Sequence, residues 1–322
     1  RGGEPALWAV LHDAAEDDHI HLRPLPFPVP VHGVAIRPRR RGDEQRLWEI
    51  MGRLVAEDPC LRLEHLASTN ETVVYGLGEL HLRMLLERLQ AGYKFEVETR
   101  PPRIAYRETI GQGAAAQYRH KKQSGGAGQF GEVHLRVEPL PRGAGFEFVD
   151  QVKGGAIPGQ FMPAVEKGVR EALAEGVIAG YPVQDIRVIV HDGKSHAVDS
   201  KEVAFVTAGK KAAQAAIREA APTVLEPVAR LTITVPDGAT GAVTGDLSSR
   251  RGLVSGTDTP RPGQVAITAQ VPMAELLDYQ SRLNALTAGQ GTYTLALSHY
   301  EAVPPQVQQQ LAGQYRAKEE QE

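Results

Sequence analysis

Glu71-Thr-Val-Val-Tyr-Gly-Leu-Gly-Glu-Leu-His-Leu-Arg-Met-Leu-Leu-Glu-Arg-Leu89 changes its period halfway along. Residues 72–75 are β-branched and aromatic, the composition of a strand. Beyond Gly76-Leu-Gly78 the apolar side chains of Leu82, Leu85, Leu86 and Leu89 recur at helical spacing, which predicts a helix from Glu79 with Gly92 as its stop. A helix with one apolar face needs a sheet to cover. Working outward, residues 31–37 read as a strand closed by Pro38. A helix with Asp43 at its N-cap follows, carrying the stripe Leu47, Ile50, Met51, Leu54 and Val55, and Pro59 marks its end. Strands over 61–65 and 94–99 and a turn around Ser68, Thr69 and Asn70 complete the order βαββαβ. An antiparallel sheet with both helices on one side satisfies that order.

After Pro101-Pro102 a different plan begins. Extended segments over 104–109 and 117–120 lead to the glycine-dense turn Ser124-Gly-Gly-Ala-Gly-Gln-Phe-Gly131, and strands are predicted over 131–139 and 146–149. A helix over 163–174 carries Val165, Val169 and Leu173, and residues 186–191 form a β-branched strand. The polar segment Asp192-Gly-Lys-Ser-His-Ala-Val-Asp-Ser200 reads as a turn, before an alanine-rich helix over 202–221 that Pro222 ends. From Glu226 the first plan returns without a visible repeat. Strands are predicted over 231–235, 253–257, 264–272 and 293–300, with helices over 240–250 and 274–286. A Gln- and Glu-rich tail after Pro305 reads as one frayed helix.

The chain has 322 residues, enough for two or three domains at roughly 100–200 residues each. A hydrophobic fraction of 42% and a charged fraction of 23% exclude wholesale disorder and fibrous classes. The net charge of −3 excludes a generally polycationic chain, so contact with nucleic acid must use local basic patches. No apolar run approaches the ~20 residues that span a bilayer. The single cysteine, Cys60, cannot form an internal disulfide, and is read as a small buried side chain in a reducing, cytoplasmic setting.

Catalytic patterns fail one by one. Gly193-Lys194-Ser195 ends like a phosphate loop, but Val188 stands where its first glycine must be. Gly125-Gly-Ala-Gly128 lies between strands and opens no helix, as a dinucleotide site requires. His81 beside Glu79 lacks metal-ligand spacing, and the other histidines are read as surface or satisfied side chains. No nucleophile, base and orienter can be assembled, so no catalytic, cofactor or metal residue is assigned.

Two polar loops have basic groups beside them. Arg119-His-Lys-Lys122 precedes the glycine loop, and Lys194, His196 and Lys201 surround the second. If both lie at one end of the middle module, they make a positively charged tip suited to phosphate contacts; otherwise they are solvated turns. Arg37-Pro-Arg-Arg-Arg41 and the pair Arg250 and Arg251 either touch phosphates or close secondary elements.

The segment quoted first resembles the "G-x-G-E-L-H-L" stretch of bacterial translation elongation factor G, in its third domain. Tyr106-Arg-Glu-Thr-Ile110 resembles the "Y-R-E-T-I" that opens the fourth. His120-Lys-Lys-Gln-Ser-Gly-Gly-Ala-Gly-Gln-Phe-Gly131, Ser195-His-Ala-Val-Asp-Ser200 and Gly245-Asp-Leu-Ser-Ser-Arg-Arg-Gly252 match further signatures in order, over about residues 29–305. The resemblance implies an α+β chain of three modules: a ferredoxin-like domain III over 29–103, a tRNA-mimicking domain IV over 104–225 with a left-handed βαβ crossover, and a ferredoxin-like domain V over 226–305. Residues 1–28 are then the remnant of a second domain and a linker, and 306–322 a C-terminal tail.

It further implies a soluble, monomeric ribosome-binding portion of a GTPase that moves tRNA and mRNA, contacting small-subunit and large-subunit rRNA. GTP and Mg belong to a nucleotide-binding half that the sequence lacks. By position the tip comprises Lys121, Lys122, Gln123, Ser124, Gly125, Gly126, Gly128 and Gln129 with Lys194, Ser195, His196, Asp199 and Ser200, and Arg250 and Arg251 are further RNA-contact candidates. Ala127 stands where the family carries arginine, which removes one phosphate donor. The rival readings are a paralogue serving ribosome recycling or protection and a free-standing RNA-binding regulator of translation.

Overall fold

A computed structural model describes residues 27–122, 128–196 and 198–319. The chain divides into two compact units, one holding the described residues through Ala105 with Val228–His299, the other Tyr106–Pro227 with the described residues from Tyr300 on.

The first unit contains two small sandwiches. In one, β1 (His32–Pro38), β2 (Arg62–Leu66), β3 (Glu71–Gly76) and β4 (Val97–Arg100) form a sheet of order β2-β3-β1-β4, antiparallel throughout. Helices α1 (Glu44–Ala56) and α2 (Glu79–Tyr93) lay Leu47, Met51, Leu54, Leu82, Leu85 and Leu89 against Ile36 and Val74. The expected βαββαβ arrangement with both helices on one face is therefore present. Gly92 does not stop α2. The helix runs to Tyr93, whose ring packs on the core, and Lys94 takes the left-handed cap at φ 51°.

In the other sandwich β10 (Pro222–Pro236), β11 (Leu253–Arg261), β12 (Gln264–Pro272) and β13 (Thr292–Ala302) take the order β11-β12-β10-β13. Val243 and Leu247 of α5 (Thr240–Ser249) and Tyr279 and Leu283 of α6 (Tyr279–Thr287) bury against Leu231, Ile233, Ile267 and Val271. The single helix expected over 274–286 is broken into a 3₁₀ turn at Met273–Leu276 and α6. Arg250 causes the break: its Nη1 donates to the Glu275 carbonyl at 2.6 Å and to Asp278 Oδ1 at 2.7 Å, which fixes Asp278 ahead of the helix.

The second unit is built on the sheet β6-β7-β9-β8, from β6 (Ala114–Lys122), β7 (Gln129–Pro139), β8 (Phe146–Asp150) and β9 (Ile186–Lys194). The pair β8 and β9 is parallel and joined through α3 (Met162–Glu175), and the other pairs are antiparallel. Helices α3 and α4 (Glu202–Glu219) cover one face with Val165, Val169, Phe205, Ala212 and Ile217. The predicted turn over 192–200 is shorter than expected, because β9 continues to Lys194 by pairing with Glu132–His134 of β7. Its polar residues are drawn into the ladder by their partner strand, with a register shift at His134.

Pro222 likewise opens a strand instead of only ending a helix. Residues 222–225 pair with β5 (Arg107–Ile110) and 228–236 with β12, while Pro227, which has no N–H to offer, falls between the two pairings. The tail forms α7 (Pro305–Glu319), whose Val307 and Leu311 pack with Ala179 and Val224.

Helices α3 and α4 approach closely because small residues face each other. A Cβ at Gly168 would lie 2.0 Å from the Val206 carbonyl oxygen, inside any allowed contact. Gly168→Ala should therefore destabilise the protein by about 1–3 kcal/mol in urea unfolding. Gly52→Ala in α1, where a Cβ meets nothing within 4 Å, should stabilise it by about 1 kcal/mol. Equal responses at the two positions would contradict the packing described.

Candidate nucleic-acid interface

The hairpin β6–β7 keeps its register to the last described pair, Lys122 opposite Gln129. Next to it, β9 ends at Lys194 opposite Glu132. The chain then turns back through Ser195 and His196 and meets the hairpin at Phe130, bridged to Ser200. The Phe130 N–H donates to the Asp199 carbonyl at 2.9 Å, and the Ser200 hydroxyl donates to the Phe130 carbonyl at 3.1 Å. The His196 N–H donates to Ser200 Oγ at 2.8 Å, closing the turn on itself. The His196 and Phe130 rings meet edge to face with centroids 6.2 Å apart. A Cβ at Gly128 would stand 2.7 Å from the Asp199 carboxyl, so a larger residue there would have to displace that carboxylate.

The two polar loops thus do share one end of the second unit. Lys121, Lys122, Gly128, Gln129, His196 and Asp199 line a shallow cleft with Phe130. Lys121, Lys122, Lys194, Ser195 and His196 are exposed, Gln129, Asp199 and Ser200 half-buried and Gly128 buried. Gln123, Ser124, Gly125, Gly126 and Ala127 lie outside the described residues. Ser200 Oγ is committed to backbone groups. Among the described residues no three His, Cys, Asp or Glu are placed to hold a metal ion.

Charge is distributed unevenly around this end. On the outer sheet face Arg187 lies between Glu147 at 2.7 Å and Glu138 at 3.4 Å, and Arg136 meets Glu138 at 3.2 Å. Arg119 Nε donates to Glu132 Oε2 at 2.5 Å, and His134 Nε2 is 2.9 Å from Oε1. The Arg119 bond, chiefly, holds the Glu132 carboxyl below the usual carboxylate range despite its burial. Its contribution to stability is present above that range and lost as pH falls through the lowered value. Lys121 and Lys122, by contrast, have no ion-pair partner among the described residues, and Lys194 stands in register beside Glu132 without a direct ion pair to it.

Arg250 and Arg251, the further RNA-contact candidates, both take part in ion pairs. Arg250 is largely buried, donates to Asp246 at 2.9 Å and Asp278 at 2.7 Å, and lies over the Tyr279 ring at 5.5 Å. Arg251 pairs with Glu275 at 3.0 Å. Arg250 thus ties Asp246 of α5 to Asp278 at the start of α6, which linear order alone could not show. Arg37 and Arg39 are likewise paired, with Glu98 and Glu96. His81 is satisfied as expected: the Leu77 N–H donates to its Nδ1 and its Nε2 faces Asp58 at 2.9 Å. Cys60 is half-buried and free, not enclosed as expected, because the bond from its N–H to Asp58 holds it in the loop after α1. Phe130 and Glu132, which shape the end of the sheet, were not singled out by the sequence. The in-register pairing of Glu132 with Arg119 is the signal that marks them.

Two ferredoxin-like sandwiches thus flank, in chain order, a module with a cationic end. The chain belongs to the elongation factor G family: residues 27–101 match its domain III, residues 102–221 its domain IV and residues 223–311 its C-terminus. It is 43% identical over 303 residues to an elongation factor G-like protein of Thermotoga maritima, covering 94% of this chain and 44% of that protein. A crystal structure of a protein from Thermus thermophilus superposes with a TM-score of 0.78 at 40% identity, over 96% of this chain and 46% of that one. The chain spans about half the length of the relatives it matches. No described helix is long and apolar enough to cross a membrane.

Arg250→Ala removes a partly buried cation from Asp246 and Asp278 and should cost about 3 kcal/mol in urea unfolding. Unchanged stability would show that the pairs with Asp246 and Asp278 contribute nothing to folding.

Proposed function

We propose that this chain is the ribosome-contacting portion of a translational GTPase, and that the end formed by Lys121, Lys122, Lys194 and His196 enters the small-subunit decoding region. GTP hydrolysis, carried out with Mg by a nucleotide-binding domain of the same factor, biases a rigid-body movement, and the cationic end keeps tRNA and mRNA from slipping back. The ferredoxin-like domain V approaches large-subunit rRNA. The observation that carries this reading is the convergence of two loops on one end where Lys121 and Lys122 lack acidic partners among the described residues, while the cations of the neighbouring sheet face are neutralised. Uncompensated lysines at the end of a sheet are what phosphate contact needs, and they carry no base-specific information.

Lys121→Ala combined with Lys122→Ala should weaken binding to purified ribosomes and lower the slope of log affinity against log salt by about 2, one for each phosphate no longer engaged. A steep slope unaltered by the double change would place the interface elsewhere.

A second reading, a paralogue acting in recycling or protection of the ribosome, is favoured by Ala127 in the position where the family carries arginine. His196→Ala in the GTPase-bearing protein separates the two. On the first reading translocation slows at least tenfold while ribosome-stimulated GTP hydrolysis persists. On the second, wild type and variant translocate equally poorly.

A further inference from the structure

Arg119, Glu132 and Lys194 stand in register across β6, β7 and β9, one step of the same face below Phe130. Val133 and Leu135, on the opposite face of β7, are in the core. Glu132 therefore lies outside that core, yet its side chain is only 6% exposed, with Arg119 bonded to one oxygen and His134 to the other. Asp192, 4.0 Å from the far side of the His134 ring, completes the row of charged groups around it.

We propose that Glu132 is a positioning residue for the cationic end: it offsets Arg119 on one side and Lys194 on the other, and so sets the spacing of the three strand ends. This rests on the ribosome-contact reading for its functional consequence. Without the carboxylate, two cations face each other across β7 with nothing between them, and their repulsion acts where Phe130 must receive the turn from Asp199 and Ser200. The lysines would remain, but in a looser geometry. The helix-side core would be unaffected, since none of these side chains belongs to it.

Glu132→Gln keeps size, exchanges one of the two acceptor oxygens for an amide donor and raises the net charge by one. Simple attraction to phosphate then predicts tighter ribosome binding, whereas positioning predicts weaker binding. The expected result is about tenfold weaker binding. Amide exchange in the free protein should become at least tenfold faster at Phe130 and Ser200, with protection kept at Val149 and Val169. Binding unchanged or tightened, or exchange unchanged at Phe130 and Ser200, would overturn the proposal. Should Glu132→Gln not fold, Glu132→Gln combined with Arg119→Gln, at a side chain 57% exposed, removes the repelling cation as well and should fold with near wild-type exchange at Phe130 and Ser200; its failure to do so would overturn the proposal too. Failure of the wild-type protein to bind ribosomes would sink the proposed function instead, and the exchange measurement would still decide the role of Glu132.

Discussion

The second unit is organised around a carboxylate with no water to solvate it. Glu108 is fully buried on β5, and its two oxygens accept the N–H groups of Val177, Ile178, Ala179 and Tyr181 at 2.7–3.1 Å. A buried charge is tolerated only when its hydrogen-bonding capacity is filled, so the loop after α3 has to wrap this one side chain. The backbone of Glu108 completes the arrangement by donating to Pro182 and accepting from Gln184. Asp185, also buried, then accepts the N–H groups of Gly143 and Gly145, and β9 begins at the next residue. Two buried carboxylates thus determine where β9 starts.

Where a strand starts determines where it arrives. At about 3.3 Å per residue, the nine residues of β9 carry the chain about 26 Å from Ile186 to Lys194. There it must meet the end of a hairpin whose register was set independently by β6 and β7. The meeting is secured by backbone and hydroxyl bonds at Phe130, Asp199 and Ser200, none of which depends on the exposed lysines. Position and charge are therefore supplied by different residues.

The periodic parts of the fold were legible. Helical stripes such as Leu82, Leu85 and Leu89 and β-branched strands such as 186–190 carry their environment in their spacing, and both βαββαβ modules follow from them. What escaped was set by partners distant in sequence. The extension of β9 through Asp192-Gly193-Lys194 depends on β7, the break before α6 on Arg250, and the unbroken run of β10 past Pro227 on which neighbour each half pairs with. The same limit applied to the candidate interface. Its lysines and His196 were visible as polar loops, but the bonded state of Arg250 and the burial of Glu132 exist only once the strands and helices are assembled.

In the regions first read as basic patches, Arg37, Arg39, Arg119, Arg250 and Arg251 are each paired with a carboxylate within their own unit, whereas Arg40, Arg41, Lys121 and Lys122 have no such partner among the described residues. Arginine's planar fork suits fixed, directional pairs inside a structure, and lysine's compact, hydrated charge on a flexible stem suits contacts that form and break with an outside partner. A surface of lysines recognises phosphate through field strength and reads no base sequence. Such recognition fits a partner whose shape is constant while the nucleotides passing through it change, as a ribosomal decoding region is, and it is less suited to a regulator that must select one transcript among many.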